Sequence, residues 1–341
     1  MSVNTQEEEA LWQEFVEIGS TIQTMRGIIR TELAHLALRL AKRFRDSDVI
    51  VKNVSSVRQF RQLLSKIAEY LDADPVIMKT AVVKHLEALH FKAGLTDEEW
   101  LGVVWSPKRS GIQTGFSCVV YPDTPRETRY FVKTHQYGPA SGSQKGIRCP
   151  NLKEVFVYKL LQYIGIGPEA DFVFPYGSQS TLYIVTKEVK LLLLSELTTA
   201  NKTALLQIDL ISRILCLRDC ATNASNCGQV GERPMIIDFL IETQSGGYFK
   251  QDVLEKFYEG NGEFNYLGLM RSAVLESNGF KLNVMKESMV AWNLELNIDK
   301  AIADSIHLKT IATASGVKFE DDLVKYVEGI KKTVQVLKEV V

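Results

Sequence analysis

The sequence predicts an α+β fold, and three observations predict it. Both ends of the chain carry apolar residues at spacings of three and four, the mark of amphipathic helices. The middle instead shows short runs rich in branched and aromatic residues, punctuated by Gly, Pro and Asn, the mark of strands and turns. The composition, 45% hydrophobic and 24% charged over 341 residues, supplies a core of ordinary size without disulfides or metals.

The first region, residues 1–94, reads as helical. Phe15, Ile18, Ile22, Met25, Ile29, Leu33, Leu36 and Leu40 share one face of a long helix. Ser55 or Ser56 caps a second, whose face is Val57, Phe60, Leu64, Ile67 and Leu71. Asp74-Pro75, a cap followed by proline at the first helical position, starts a third. These stripes need partners: a bundle packed on the next region or an interaction module that docks a partner protein. A coiled-coil dimer fits less well, because the pattern of the first helix does not continue.

The second region begins at Leu95. Thr96 caps a helical turn with acidic residues behind it. Strands are expected at Leu101 to Trp105, Phe116 to Val120 and Thr128 to His135, the last two joined by a turn at Pro122 to Pro125. A Gly- and Ser-rich loop, Gly138 to Pro150, leads to a helix from Leu152 to Tyr163. Asp171 to Pro175 and Leu182 to Val185 read as strands, Thr203 to Leu217 as a helix, Arg218 to Gly231 as a polar loop, and Met235 to Phe239 as a buried strand. From Gln251 onward the chain reads as mostly helical, ending in a helix marked by Leu323, Tyr326, Ile330, Val334 and Leu337.

Charge and cysteines narrow the function classes. A net charge of −1 argues against bulk nucleic-acid binding, which needs a basic face. The five cysteines lack framework spacing, which predicts reduced thiols in an intracellular compartment. Cys216, Cys220 and Cys227 have no fourth Cys or His nearby to close a zinc site. The acidic N-terminus is unlike a signal peptide, and no apolar run reaches the length of a membrane span, so a soluble, cytoplasmic protein is expected.

Several polar residues sit where an ordinary core would not place them. Lys133 lies inside the apolar strand Tyr130-Phe131-Val132-Lys133-Thr134, either facing phosphate oxygens or on a solvated face. Glu154 opens the next helix, where it can pair with Lys133 or simply suit the helix N-terminus. Asp219 begins the polar loop and can orient a hydroxyl and take its proton. Asn226 offers an amide oxygen to a hard cation, although Asn223-Ala224-Ser225-Asn226 also suits a turn. Asp238 ends the apolar run Met235-Ile236-Ile237, where a carboxylate is costly unless paired or metal-bound. Gly111 and Gly115 flank a short connection that lets backbone amides approach phosphates, or that is an ordinary hairpin.

This order of a glycine-containing hairpin, strand lysine, helix glutamate, Asp…Asn loop and strand-end Asp-Phe resembles the protein-kinase-like superfamily. The run EVFVYKLLQYIGIGP is similar to its glutamate helix and exit turn; RDCATNASNCG followed by MIIDF is similar to its catalytic loop and metal strand, with Asp238 19 residues after Asp219 (238 minus 219). In style the motifs look closer to HipA-type kinases, aminoglycoside phosphotransferases or type II phosphatidylinositol kinases. The resemblance covers about Trp100 to Phe239. It implies a two-lobed kinase-like fold: added N-terminal helices at 1–94, a small β-rich lobe at 95–189 and a larger helical lobe at 190–341, joined by a hinge over Thr181 to Val189. It also implies ATP and Mg2+ as ligands. Lys133 would contact the α- and β-phosphates, Glu154 would orient it, Asp219 would be the catalytic acid-base residue, and Asn226 and Asp238 would hold magnesium. Three positions depart from the family pattern: Ala224 stands where the family places its Asn, Leu217 precedes the Arg-Asp pair, and Leu240 follows Asp-Phe.

The expected function is therefore an atypical kinase that moves the ATP γ-phosphate to a hydroxyl on a protein, lipid or small molecule. The alternative is a pseudokinase or regulatory scaffold acting through protein interactions. A third reading, a helical interaction protein without a nucleotide site, leaves Lys133 and Asp238 unexplained.

Overall fold

A computed structural model describes residues 10, 12–17, 75–100, 102–107, 115–138, 149–175, 181–194, 196, 201–220, 223, 225–241, 247–260, 273 and 275–340. The second expected helix and most of the first lie outside these residues. Of the first, residues 12–17 are helical, with Phe15 buried.

Helix α1 (Pro75–Lys92) starts at the proline that the sequence marks. A 3-10 turn at Asp97–Glu99 follows, closed by Thr96 N–H and hydroxyl on the Glu99 carboxylate. Strands β1 (Val103–Pro107), β2 (Gly115–Val120) and β3 (Thr128–Thr134) form an antiparallel meander. Helix α2 (Leu152–Tyr163) matches its expected range, with Asn151 accepting from Lys153 N–H as the cap. Strands β4 (Ala170–Val173) and β5 (Tyr183–Lys187) complete a five-stranded sheet in the order β1-β2-β3-β5-β4, antiparallel throughout. The chain is thus an α+β fold.

The remaining elements are mostly helical. After the short β6 (Leu192–Leu193) comes α3 (Lys202–Ile214). Next are β7 (Leu217–Arg218), β8 (Cys227–Val230), β9 (Arg233–Ile236) and β10 (Leu240–Ile241). Strands β6, β8 and β9 pair as one small sheet, and β7 pairs with β10 as another. Helices α4 (Val253–Glu259), α5 (Asn278–Trp292), α6 (Leu294–Ala314) and α7 (Leu323–Lys338) follow. All five expected apolar positions of α7 are buried.

The two faces of the five-stranded sheet have different covers, as the two-residue period of a strand requires. Val132, Val173, Tyr183 and Val185 pack on Met78, Val82 and Leu86 of α1. Phe172 and Ile184, on the opposite face, join α2 and the helical body in one core. Lys133 stands directly across from Ile184, so it shares the α2 face. Helix α2 is anchored at its start as well. Leu152 N–H donates to Glu320 O, and the buried Lys153 ammonium bonds Asp322 at 2.6 Å and the Tyr248 hydroxyl. The helix therefore sits on the sheet while its first turn is fixed to the C-terminal segment.

Four local expectations need correction. The first strand starts at Val103, because Gly102 has a positive φ of 77° that breaks an extended run. Helix α3 ends at Ile214 rather than Leu217, since Cys216 turns left-handed at φ 51° and Leu217 enters β7. Part of the expected polar loop is strand β8. Gly228 permits it, since a Cβ there would lie 2.0 Å from the Leu192 carbonyl oxygen. The strand expected at Met235 to Phe239 runs instead from Arg233 to Ile236, because Ile237 and Asp238 both turn their N–H groups onto Asn226 O.

Candidate functional site

Lys133, Asp219, Asn226 and Asp238 come from separate segments and form one continuous network. Lys133 extends from β3 on the α2 face, and its ammonium bonds Asp238 Oδ1 at 2.5 Å. The same oxygen accepts the Phe239 N–H at 2.9 Å, so both bonds fall on Oδ1. Asp238 lies in the three-residue connection between β9 and β10, fixed by the Asn226 carbonyl, which takes Ile237 N–H at 2.9 Å and Asp238 N–H at 3.2 Å. Asn226, at the entry to β8, also donates from Nδ2 to Asp219 O at 2.8 Å and to Asp219 Oδ2 at 3.2 Å.

The loop holds Asp219 in an unusual conformation. Its φ is 67°, a left-handed value that costs energy in any residue with a Cβ and that such surroundings must enforce. Two thiols brace the same segment: Cys227 donates to Cys220 O at 2.9 Å, and Cys220 lies 3.8 Å from Asp238 O. Cys220 and Cys227 are thus buried thiols, not disulfide partners, in the framework of the site.

Of the two candidate asparagines, Asn226 is the one joined to the acids. Asn223 is exposed and uses its side-chain oxygen to accept Ser225 N–H.

Glu154 is placed beside the network, but not in the direct bond expected of it. Lys133 gives its hydrogen bond to Asp238, while Glu154 Oε2 accepts Gln136 N–H at 2.9 Å. The other oxygen, Oε1, is buried without a hydrogen bond. Burial pushes the Glu154 carboxyl up to about 7; the Lys133 charge and the Gln136 bond oppose this, and Asp238 adds to it. Burial also works against the Lys133 ammonium, but the acidic groups around it, Tyr158, Asp238 and Glu154, outweigh burial and raise its pKa. Asp219 is raised by partial burial and by the nearby Asp238 charge, against the lowering effect of the Asn226 bond.

Gly115 is directly across the strand pair from Lys133, so no side chain stands opposite the lysine on that strand. Gly111 lies outside the described residues.

Two residues that sequence reasoning passed over belong to the site. Tyr158 is one turn after Glu154 on α2, and that i, i+4 spacing was the available signal. Its ring packs on Phe239 with centroids 4.6 Å apart, and the Lys133 ammonium lies 5.6 Å from its centroid. Its hydroxyl is buried beside the Lys133 ammonium, without a hydrogen bond of ordinary geometry. Gln136 bonds Glu154 and, through its side chain, Ile241. Nothing in sequence spacing marks that pairing.

The donor set is chemically specific. Asp238 Oδ2 takes no hydrogen bond from a described residue, and Asp219 and Asn226 add further oxygens. Among the described residues, no three His, Cys, Asp or Glu side chains group as a metal site. Two carboxylates and an amide suit a hard, oxygen-seeking cation that keeps waters, as magnesium does. The mutual repulsion that raises Asp219 is charge that such a cation would offset.

No protein-family model matches the chain, and no curated protein matches its sequence.

Proposed function

We propose that this site binds ATP with Mg2+ and transfers the γ-phosphoryl group to a hydroxyl acceptor. The observation that carries the reading is the unbroken chain Lys133–Asp238–Asn226–Asp219, an amine and two acids gathered from distant segments. The sheet order β1-β2-β3-β5-β4, with α2 inserted between β3 and β4, supports it, because that arrangement agrees with a two-lobed kinase-like architecture.

Phosphoryl transfer needs positive charge on the phosphates, carboxylates for magnesium and a group to orient the nucleophile. Lys133 supplies the first and Glu154 stands beside it. Asp238 and Asn226 would hold magnesium, whose charge would offset that of the phosphates. Asp219 accepts the proton of the acceptor hydroxyl as its oxygen bonds the γ-phosphorus; the bond from that phosphorus to the bridging oxygen breaks, and ADP leaves. The acceptor is a hydroxyl of a protein, lipid or small molecule.

The test has two stages. ATP with magnesium at about 100 times Kd should stabilise the protein by about 2.7 kcal/mol, an effect lost with chelator. Labelled γ-phosphate should transfer to an acceptor, and Asp219→Ala and Asp238→Ala should each cost about 10²-fold or more. A loss under about twofold at Asp219 contradicts its role.

One observation favours a second reading, a pseudokinase that binds nucleotide weakly or not at all. The lysine expected on the phosphates is engaged with Asp238, so that amine is already paired within the protein. Magnesium-dependent binding without transfer would select a nucleotide-binding form of this reading.

A further inference from the structure

The side chain of Gln136 makes two hydrogen bonds that the proposed chemistry does not use. Gln136 lies just past β3, three residues after Lys133. Its Oε1 accepts Ile241 N–H at 3.2 Å, and its Nε2 donates to Ile241 O at 3.4 Å. The side-chain amide thus imitates a strand peptide, meeting donor and acceptor of one residue at once. Ile241 is three residues after Asp238 and pairs with Leu217 of β7. The main-chain N–H of Gln136 goes to Glu154 Oε2 at 2.9 Å. One residue therefore touches the helix that carries Glu154 and the segment that carries Asp238, from the end of the strand that carries Lys133.

We propose that Gln136 is a positioning residue for this site: its clasp on Ile241 and its amide on Glu154 hold Asp238 and Glu154 in register with Lys133. The inference rests on the nucleotide-binding reading. Asp238 stands between two short strands, and β10 has only a two-residue ladder with β7 to fix it. A carboxylate so placed depends on its flanks. Groups that orient a metal-binding carboxylate commonly matter about 10- to 100-fold for metal affinity or activity.

A merely structural clasp would move stability alone; a positioning clasp moves magnesium-dependent affinity. The full chain, Gln136→Met (similar length, no amide) and Gln136→Asn (amide kept, one methylene shorter) are compared. ADP is titrated calorimetrically with MgCl2 and again with EDTA, and hydrogen exchange is followed in peptides covering Phe239 to Ile241. Gln136→Met is expected to weaken magnesium-dependent ADP binding by about tenfold or more, to change any EDTA-resistant binding by less than about twofold, and to speed exchange at Ile241. Should that variant fail to fold, Gln136→Asn carries the comparison with the same thresholds. Wild-type binding with a variant within about twofold of it overturns this inference and leaves the nucleotide reading standing. Absence of magnesium-dependent binding in the wild type overturns both.

Discussion

Asn226 holds Asp219 at two points, its main-chain oxygen at 2.8 Å and its carboxylate at 3.2 Å, both from one side-chain amide. Since the Asn226 carbonyl also takes the amides of Ile237 and Asp238, this residue sets the spacing of the two acids.

Asn226→Ala should therefore damage the site more than the fold. Asp219 O, half-buried, would lose this donor, at about 1 kcal/mol. Phosphoryl transfer should fall about 10²-fold or more, the scale of losing an electrostatic group at a reacting centre. Asn223→Ala is the control, because Asn223 serves only its own turn. Equal loss of transfer in both variants, at equal stability, would remove Asn226 from the site.

Glu154 predicts a pH dependence with a definite sign. Its folded pKa is raised from an ordinary 4.5 to about 7, so the folded state keeps a proton that the unfolded chain releases. The stability this confers is complete below about 4.5 and is lost as pH rises to about 7. Lys133, Asp238 and the Gln136 N–H face the group, and all three are unaltered in Glu154→Gln. Chemical denaturation of both proteins from pH 4 to 8 should show wild type losing about 3 kcal/mol relative to the variant across that window. Parallel curves would mean that Glu154 titrates normally.

Helix α2 and strands β2 and β3 were legible from their apolar runs and the Gly, Pro and Asn that bound them; α2 is buried on nearly every side, Lys153 and Glu154 included, so no amphipathic pattern marks its burial. Lys133 and Asp238 were legible because each interrupts an apolar run. Strand β8 was not, since its residues Cys227, Gly228 and Gln229 are chosen for close approach to Leu192 rather than for hydrophobicity. Nor was the partner of Lys133, because Glu154 and Asp238 are equally acidic and only three-dimensional reach decides between them. Gln136 left no trace for the same reason: its bond to Ile241 spans 105 residues.

A charge pair buried on both sides, away from the site, predicts stability alone. Arg213 Nε bonds both oxygens of Asp209 at 3.0 Å inside α3, and the Asp209 carboxyl is wholly buried. Arg213→Met takes the bidentate partner from a buried carboxylate and should cost about 3–5 kcal/mol. The double variant Asp209→Leu/Arg213→Met should recover most of that loss, because the uncompensated charge is gone. Urea denaturation checks it: a double variant as unstable as the sum of the singles would show that the pair is independent.

Tyr158 separates ring from hydroxyl. The ring packs on Phe239 and Phe172, so Tyr158→Ala should cost about 3–5 kcal/mol, as for other large aromatic truncations. The hydroxyl is buried beside the Lys133 ammonium without a hydrogen bond of ordinary geometry, and a buried polar group so placed costs about 1–3 kcal/mol. Tyr158→Phe should therefore be neutral or more stable by about 1 kcal/mol in urea denaturation. If the hydroxyl bonds Lys133 or phosphate once nucleotide enters, the same variant will lose ATP affinity while gaining stability, the trade-off expected of a group kept for function. A Phe variant that loses stability and keeps affinity would assign the hydroxyl a structural bond instead.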